Sequence, residues 1–192
     1  MAEDVAGAMD ALGIRTADVY GASQGGMIAQ ELAIGHPERV RRMVLAVTLS
    51  RPNDTVRQAV ATWIDRIRAG DLDGFAADYI QRGYSEAYLR RYRAFLPLVF
   101  RLQKRMPAER FLALAEACLS CDTYDRLHRI RCPVLVLGGG RDRVVSGEAS
   151  REIAAALGCE CHIYEELSHE AYNEAKDFND RVYEFLTRPA AN

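Results

Sequence analysis

The chain has 192 residues, enough for one domain or a core with an inserted lobe, and can bury roughly 70% of its unfolded surface without a covalent staple. With 25 Lys and Arg against 27 Asp and Glu, and a pI near 6.1, its charge balance argues against nucleic acid or an anionic membrane as the main partner. No apolar run approaches the ~20 residues of a spanning helix and no basic-then-apolar leader precedes the first helix, so the expected setting is soluble and cytoplasmic.

Glu3 to Leu12 reads as an amphipathic helix with Val5, Met9 and Leu12 on one face and Gly13 as its stop. The stretch Ala17-Asp18-Val19-Tyr20-Gly21-Ala22-Ser23-Gln24-Gly25-Gly26 follows. Here a short strand pattern runs into Gly-x-Ser-x-Gly, and a helical pattern from Gln24 to Ile34 begins at once. Strand, sharp turn and helix in this order are the context of a nucleophile elbow; a Gly-rich strand–helix turn without chemistry is the competing reading. In an elbow, Gly21 and Gly25 are expected where a Cβ would collide with its neighbours. Ser23 would then stand above the sheet at the helix N-terminus, where unpaired N–H groups and the dipole favour a developing oxyanion.

Gly35 and Pro37 end this helix, with Ile28 and Leu32 expected on its inward face. His36 reads as a helix C-terminal residue without chemistry. Met43-Val44-Leu45-Ala46-Val47 is a continuous apolar run, the mark of a strand buried on both faces of a parallel sheet. From Ser50 to about Arg131 helical patterns dominate: Val56 to Ala69, Leu72 to Gly83, Glu86 to Phe95 and Pro107 to Leu119. Aromatic residues are plentiful there, including Trp63, Phe75, Tyr79, Tyr84, Tyr88, Tyr92, Phe95, Phe100 and Phe111, and are expected to build the lobe's own core, with a few left to line an apolar acyl pocket. Arg90, Arg91, Arg93, Arg101, Lys104, Arg105 and Arg110 make a locally basic stretch, expected to be a solvated helix face rather than an anion-recognition surface.

Pro133-Val134-Leu135-Val136-Leu137 is a second apolar strand, closed by three glycines. A helix capped by Ser146 runs to Leu157 and stops at Gly158. Cys161 to Glu165 alternates as a last, partly exposed strand. The closing helix puts Phe178, Val182, Phe185 and Leu186 on one stripe. Strands and helices alternating around a helical insert spell a parallel α/β sheet of about four strands carrying a lobe. The expected division is a core of residues 1–49 and 132–192 and a helical lid of 50–131.

Five cysteines, an odd number, argue against a disulfide framework. Cys118-x-x-Cys121 lacks the second half of a zinc site, so buried, reduced thiols are expected and no metal or organic cofactor is implied.

A serine hydroxyl needs a base, and the base needs an orienting acid. Asp142 falls just past the Val134–Leu137 strand and His169 just past the Cys161–Glu165 strand, which is where chain order Ser, acid, His places them. The competing readings are a loop acid paired with Arg141 or Arg143, and a helix-entry histidine.

Together with His36-Pro37-Glu38-Arg39-Val40, these motifs make the whole chain resemble the α/β-hydrolase fold superfamily, and Ser50 to Arg131 resembles the cap of its esterases, lactonases and carbon–carbon bond hydrolases. The resemblance implies Ser23 as nucleophile, His169 as general base, Asp142 as its orienting acid, and the Gln24 backbone N–H as one oxyanion donor. Two features depart from the pattern. The histidine usually follows a glycine, and here follows Ser168. Such enzymes begin with several strands and a loop, often His-Gly, that gives a second oxyanion donor, whereas this chain starts at the helix before the elbow. The expected activity is cleavage of a small-molecule ester, lactone or related acyl bond; the alternative is a truncated, catalytically weak remnant kept as a binding or assembly partner. With no neighbour on one side, the Ala17–Ala22 strand is also expected to offer an open edge for self-association.

Overall fold

The computed structural model describes residues 1–92, 94–96, 98 and 106–189. Four parallel strands lie in the order β1-β2-β3-β4, with β1 at Ala17–Ala22, β2 at Val40–Ala46, β3 at Val134–Gly139 and β4 at Glu160–Tyr164. Helix α1 (Ala2–Ala11) precedes β1, and α2 (Gln24–Gly35) joins β1 to β2. Between β2 and β3 the described residues hold only helices and turns: α3 (Asp54–Arg68), α4 (Leu72–Gly83), α5 (Glu86–Tyr92), α6 (Ala108–Ser120) and a 3-10 turn at Tyr124–Arg129. Helix α7 (Gly147–Leu157) joins β3 to β4, and α8 (Ala171–Glu174) and α9 (Phe178–Thr187) close the chain.

The apolar runs explain the centre of the sheet. Met43, Val44, Leu45, Ala46 and Val47 are fully buried, as are Val136 and Leu137. Alternate residues feed opposite faces: Met43, Leu45 and Val136 pack with Leu32, Ala33 and Ile153, whereas Val44, Ala46 and Leu137 pack with Phe178 and Phe185. Each large side chain buried this way contributes about 1.5–3 kcal/mol.

The described part of the lobe does not stand apart. Val56, Val60 and Trp63 of α3 share one cluster with Met27 of α2 and with Val144, Val145 and Ala149. Trp63, Phe75, Tyr79 and Phe111 form a ring cluster within it, and Tyr84, Tyr88 and Tyr92 stack in a second. Phe95 is exposed. Arg90 faces Glu86 from an exposed position and Arg91 lies over the Tyr92 ring; Arg93, Phe100, Arg101, Lys104 and Arg105 lie outside the described residues.

Four details differ from the sequence expectations. Helix α1 buries Ala6 and Met9 against α2, while Val5 and Leu12 are exposed, because the contact with α2 is a narrower stripe than the apolar pattern suggests. In α2, Leu32 is buried but Ile28 is half-exposed beside a cavity of about 470 Å³ between α1, α2 and α6. Four of the five cysteines are only half-buried and Cys161 is exposed. The steric demand at the turn falls on Gly21 and Gly26, not Gly25.

Among the described residues no helix is long and apolar enough to cross a membrane.

Candidate active site

Ser23 sits between β1 and α2 with φ 52° and ψ −121°, a backbone region that costs a non-glycine residue about 1–3 kcal/mol. Local packing holds it there. A Cβ on Gly21 would lie 2.7 Å from the Gly25 carbonyl carbon and 2.8 Å from Gly26 Cα, so only glycine lets the helix start this close to the strand. A Cβ on Gly26 would lie 2.6 Å from the Thr48 side chain, whereas one on Gly25 would meet nothing within 4 Å. The end of β2 completes the clamp: Ser23 N–H donates to Ala46 O at 2.8 Å, and Thr48 Oγ1 donates to Ser23 O at 2.7 Å. Gln24 and Gly25 open the helix, where backbone N–H groups have no intrahelical acceptor. The Gln24 side chain points away from that role and donates to Leu114 O of α6 at 2.8 Å.

The three residues singled out at strand ends meet. His169 Nε2 lies 2.9 Å from Ser23 Oγ, and His169 Nδ1 lies 2.8 Å from Asp142 Oδ2. The other oxygen of Asp142 accepts from the N–H groups of Val144 and Val145 at 2.7 and 2.9 Å. With both oxygens occupied, Asp142 is pinned in one orientation. A carboxylate on Nδ1 favours the tautomer that carries its proton there and leaves Nε2 free to accept from Ser23. The pairing of Asp142 with a neighbouring arginine is not found: Arg141 pairs with Glu166, and Arg143 donates to Tyr84 O.

Asp142 and His169 are both buried. Burial on its own would push the imidazole down, but the charge and hydrogen bond of Asp142, with the charge of Glu170, outweigh it and hold His169 above its ordinary value of 6.5. Gly139 lets the histidine loop approach β3, since a Cβ there would lie 2.8 Å from Leu167 O, and Gly138 lets α7 pack on the same strand, since a Cβ there would meet Ser150 at 2.6 Å.

The 470 Å³ cavity is lined by Gln24, Met27, Glu31 and Arg126, and not by Ser23, Asp142 or His169. Burial pushes the thiols of Cys118, Cys121, Cys132 and Cys159 up to about 11. Among the described residues no group of three or more His, Cys, Asp or Glu could hold a metal ion. His36 pairs with Glu3 at 3.0 Å, tying α1 to the end of α2.

Sequence patterns did not reveal Thr48, Ser168, Arg143 or Glu170, whose contacts hold the elbow and the histidine loop. Each has a partner at least 25 residues away, which no spacing rule points to.

Known proteins agree with this architecture. A protein of Caulobacter segnis named for carbamate hydrolysis, RutD, is 29% identical over 166 residues, which are 82% of this chain and 60% of that protein. The 3-oxoadipate enol-lactonase 2 of Acinetobacter baylyi is 28% identical over 143 residues, 74% of this chain and 53% of the relative. The chain thus spans about 60% or less of the length of these curated relatives. Among solved structures, the enol-lactonase from Burkholderia xenovorans LB400 superposes with a TM-score of 0.86 at 25% identity, covering 97% of this chain and 72% of that one. The sequence profile of the alpha/beta hydrolase fold matches residues 1–176, and the chain belongs to that family.

Proposed function

We propose that the chain hydrolyses a small ester, lactone or related acyl bond through an acyl-enzyme on Ser23. The observation that carries this reading is the unbroken hydrogen-bonded chain from Asp142 through His169 to Ser23. In the forward step Ser23 Oγ attacks the substrate carbonyl carbon and its proton passes to His169 Nε2. The carbonyl oxygen becomes an oxyanion, met by the Gln24 backbone N–H at the positive end of α2. Collapse of the intermediate breaks the bond to the leaving oxygen, which takes the proton from His169. A water then attacks the acyl-enzyme, giving a proton to His169, and collapse of this second intermediate releases the free acid as Ser23 Oγ takes that proton from His169. Asp142 keeps the tautomer and stabilises the imidazolium throughout. The lactone and hydrolase names among the relatives support an acyl substrate.

The test is covalent labelling with a fluorophosphonate probe followed by peptide mapping. The label is expected on Ser23 and lost in Ser23→Ala; a label on another residue, or equal labelling of the Ala variant, overturns the assignment. Hydrolysis of short-chain p-nitrophenyl esters then measures turnover.

A second reading rests on the position of β1, which has one strand neighbour among the described residues. A chain of this family with an open sheet edge also suits a role as an assembly partner, through pairing of that edge.

A further inference from the structure

A helix ends with carbonyl groups that have no intrahelical partner, and something must satisfy them. At the end of α4 the partners come from the loops that carry His169 and Asp142. Ser168 Oγ donates to Arg82 O at 2.5 Å, the Glu170 N–H donates to Gly83 O at 2.8 Å, and Arg143 Nη2 donates to Tyr84 O at 3.0 Å. The next residue, Ser85, donates its N–H and its hydroxyl to the Glu174 carboxylate at 2.8 and 2.5 Å. Three consecutive lobe residues are therefore held by the residues on either side of the histidine and by the neighbour of the acid, and the fourth by Glu174 of α8. The fit is close: a Cβ on Gly83 would come within 3.1 Å of Glu170 Cγ.

Glu170 is the centre of this contact. It is 3% exposed, yet its carboxylate accepts from Tyr79 Oη of α4 at 2.6 Å, Tyr172 Oη at 2.9 Å and Asn173 Nδ2 at 2.5 Å. Three donors on a buried carboxylate fix both its place and the backbone that bears it, because any one left unpaired would cost desolvation without return. The adjacent Ser168 also serves: besides its bond to Arg82, its hydroxyl accepts from the Arg143 N–H at 3.4 Å, joining base loop to acid loop. Glycine at that position would have neither contact.

We propose that Glu170 is a positioning residue for His169: by locking the histidine loop to the α4–α5 corner through Tyr79, it makes the helical lobe, and not the sheet alone, aim Nε2 at Ser23. This rests on the reading of His169 as the base that serves Ser23. The lobe then has a part in the chemistry besides any contact with substrate, and changes at the corner reach the reaction rate without touching Ser23, His169 or Asp142.

The experiment compares wild type, Glu170→Gln and Tyr79→Phe by ¹⁵N NMR titration of the His169 imidazole and by the rate of fluorophosphonate labelling at Ser23. The groups around His169 are Asp142 and Arg143 from the loop after β3, Glu170, Tyr172 and Glu174 from its own loop and α8, and Tyr79 and Tyr84 from α4 and its end. Of these, Glu170→Gln removes one negative charge and keeps the volume, so His169 is expected to release its proton at lower pH. Labelling should fall by about 10- to 10²-fold, the range expected when a catalytic group is displaced by up to an ångström. Tyr79→Phe leaves the charge in place; it should slow labelling while barely moving the titration, and its loss should not add to that of Glu170→Gln. Removing the charge shifts the titration of Glu170→Gln whatever its role, so positioning is read from the labelling rate, above all in Tyr79→Phe, which keeps the charge. An unchanged labelling rate in both variants overturns the proposal, whatever the titration does. If wild-type Ser23 takes no label, the hydrolase reading fails, and the His169 ¹⁵N shifts of Tyr79→Phe, which keeps the charge, still decide whether Glu170 positions His169.

Discussion

The two sides of the site are held by opposite means. The serine side is local and strained: Ser23 sits at φ 52° between a strand and a helix adjacent in sequence, and Ala46 and Thr48 at the end of the neighbouring strand clamp it. The histidine side has no such strain. His169 is not among the positive-φ residues, and its loop is held by bonds to residues 82–85, more than 80 positions earlier in the chain. A serine fixed by the sheet's own packing can be neither loosened nor tuned without disturbing the core. A histidine whose loop is bonded to the lobe can be moved by changes in the lobe. In this chain the two halves of one hydrogen bond, Ser23 and His169, therefore answer to different parts of the fold.

The largest effects should come from cutting the chain that joins the two sides. Asp142→Asn keeps the shape but is expected to hold His169 in the wrong tautomer and to lower ester hydrolysis on the order of 10⁴-fold, the size found for the equivalent change in a serine protease. His169→Ala should be at least as damaging. Both variants should keep the wild-type circular dichroism spectrum. Hydrolysis unchanged by either substitution would leave the two sides as neighbours without a shared function.

Next in size is a test of the serine side alone. Gly21→Ala drives a methyl group into the backbone of Gly25 and Gly26 and should cost about 3 kcal/mol in a urea unfolding series, at the upper end of overpacking penalties. Gly25→Ala, two helical positions into the same motif, should stay within about 0.5 kcal/mol, since its Cβ would meet nothing within 4 Å. Equal losses for the two variants would mean that the turn is not held by steric contact at Gly21. The contrast is sharp because both glycines belong to one pentapeptide.

The same split explains what the sequence could tell. The elbow, the four strands and the positions of Asp142 and His169 were legible because each is encoded within a few residues: an apolar run, a glycine, a chemical group just past a strand end. Helix stops at Gly13 and Gly158 were legible for the same reason, and both glycines do adopt positive φ. Gly25 was misjudged because the motif names the glycine but not which Cβ direction is blocked; that depends on Thr48 and on the path of β2. Glu170 carried no signal at all; Ser168 stood out only as the residue where a glycine is usual, and Arg143 only as a neighbour of the acid. On the lobe their partners are the carbonyl groups of residues 82–84, which every residue has, and the hydroxyl of Tyr79, so nothing in the side-chain pattern marks a loop that will dock on a helix end.

A smaller effect concerns the pH dependence of the histidine side. His169 is held above its ordinary value of 6.5 in the folded chain, so folding favours its protonated form. The sign follows: this stabilisation is full below 6.5 and is lost as pH rises through the raised folded value. The difference in unfolding free energy between wild type and His169→Gln should therefore shrink as the pH is raised across that range. A difference that grows with pH would mean that burial, and not the two carboxylates, dominates around the imidazole.

The smallest effect expected is at the sheet edge beside the serine. Among the described residues β1 (Ala17–Ala22) pairs with Val40–Ala46 on one side only, no Pro or Lys interrupts it, and Tyr20 is 45% exposed. Such an edge is a template for another strand, and self-association through it is the prediction. Cross-strand pairs contribute roughly 0.2–1 kcal/mol each, so a strand this short supplies only a few kcal/mol, and about 4 kcal/mol corresponds to a dissociation constant near 1 mM. The association should accordingly be weak and seen only in concentrated solution. Light scattering across a dilution series should show the apparent mass rising with concentration for the wild type, while Tyr20→Lys, which puts a charge on the edge, should stay monomeric. A wild-type mass that does not change with dilution up to about 1 mM, together with no binding of a hydrophobic dye, would show that the serine side is closed as well as rigid, and that β1 offers its edge to no second copy.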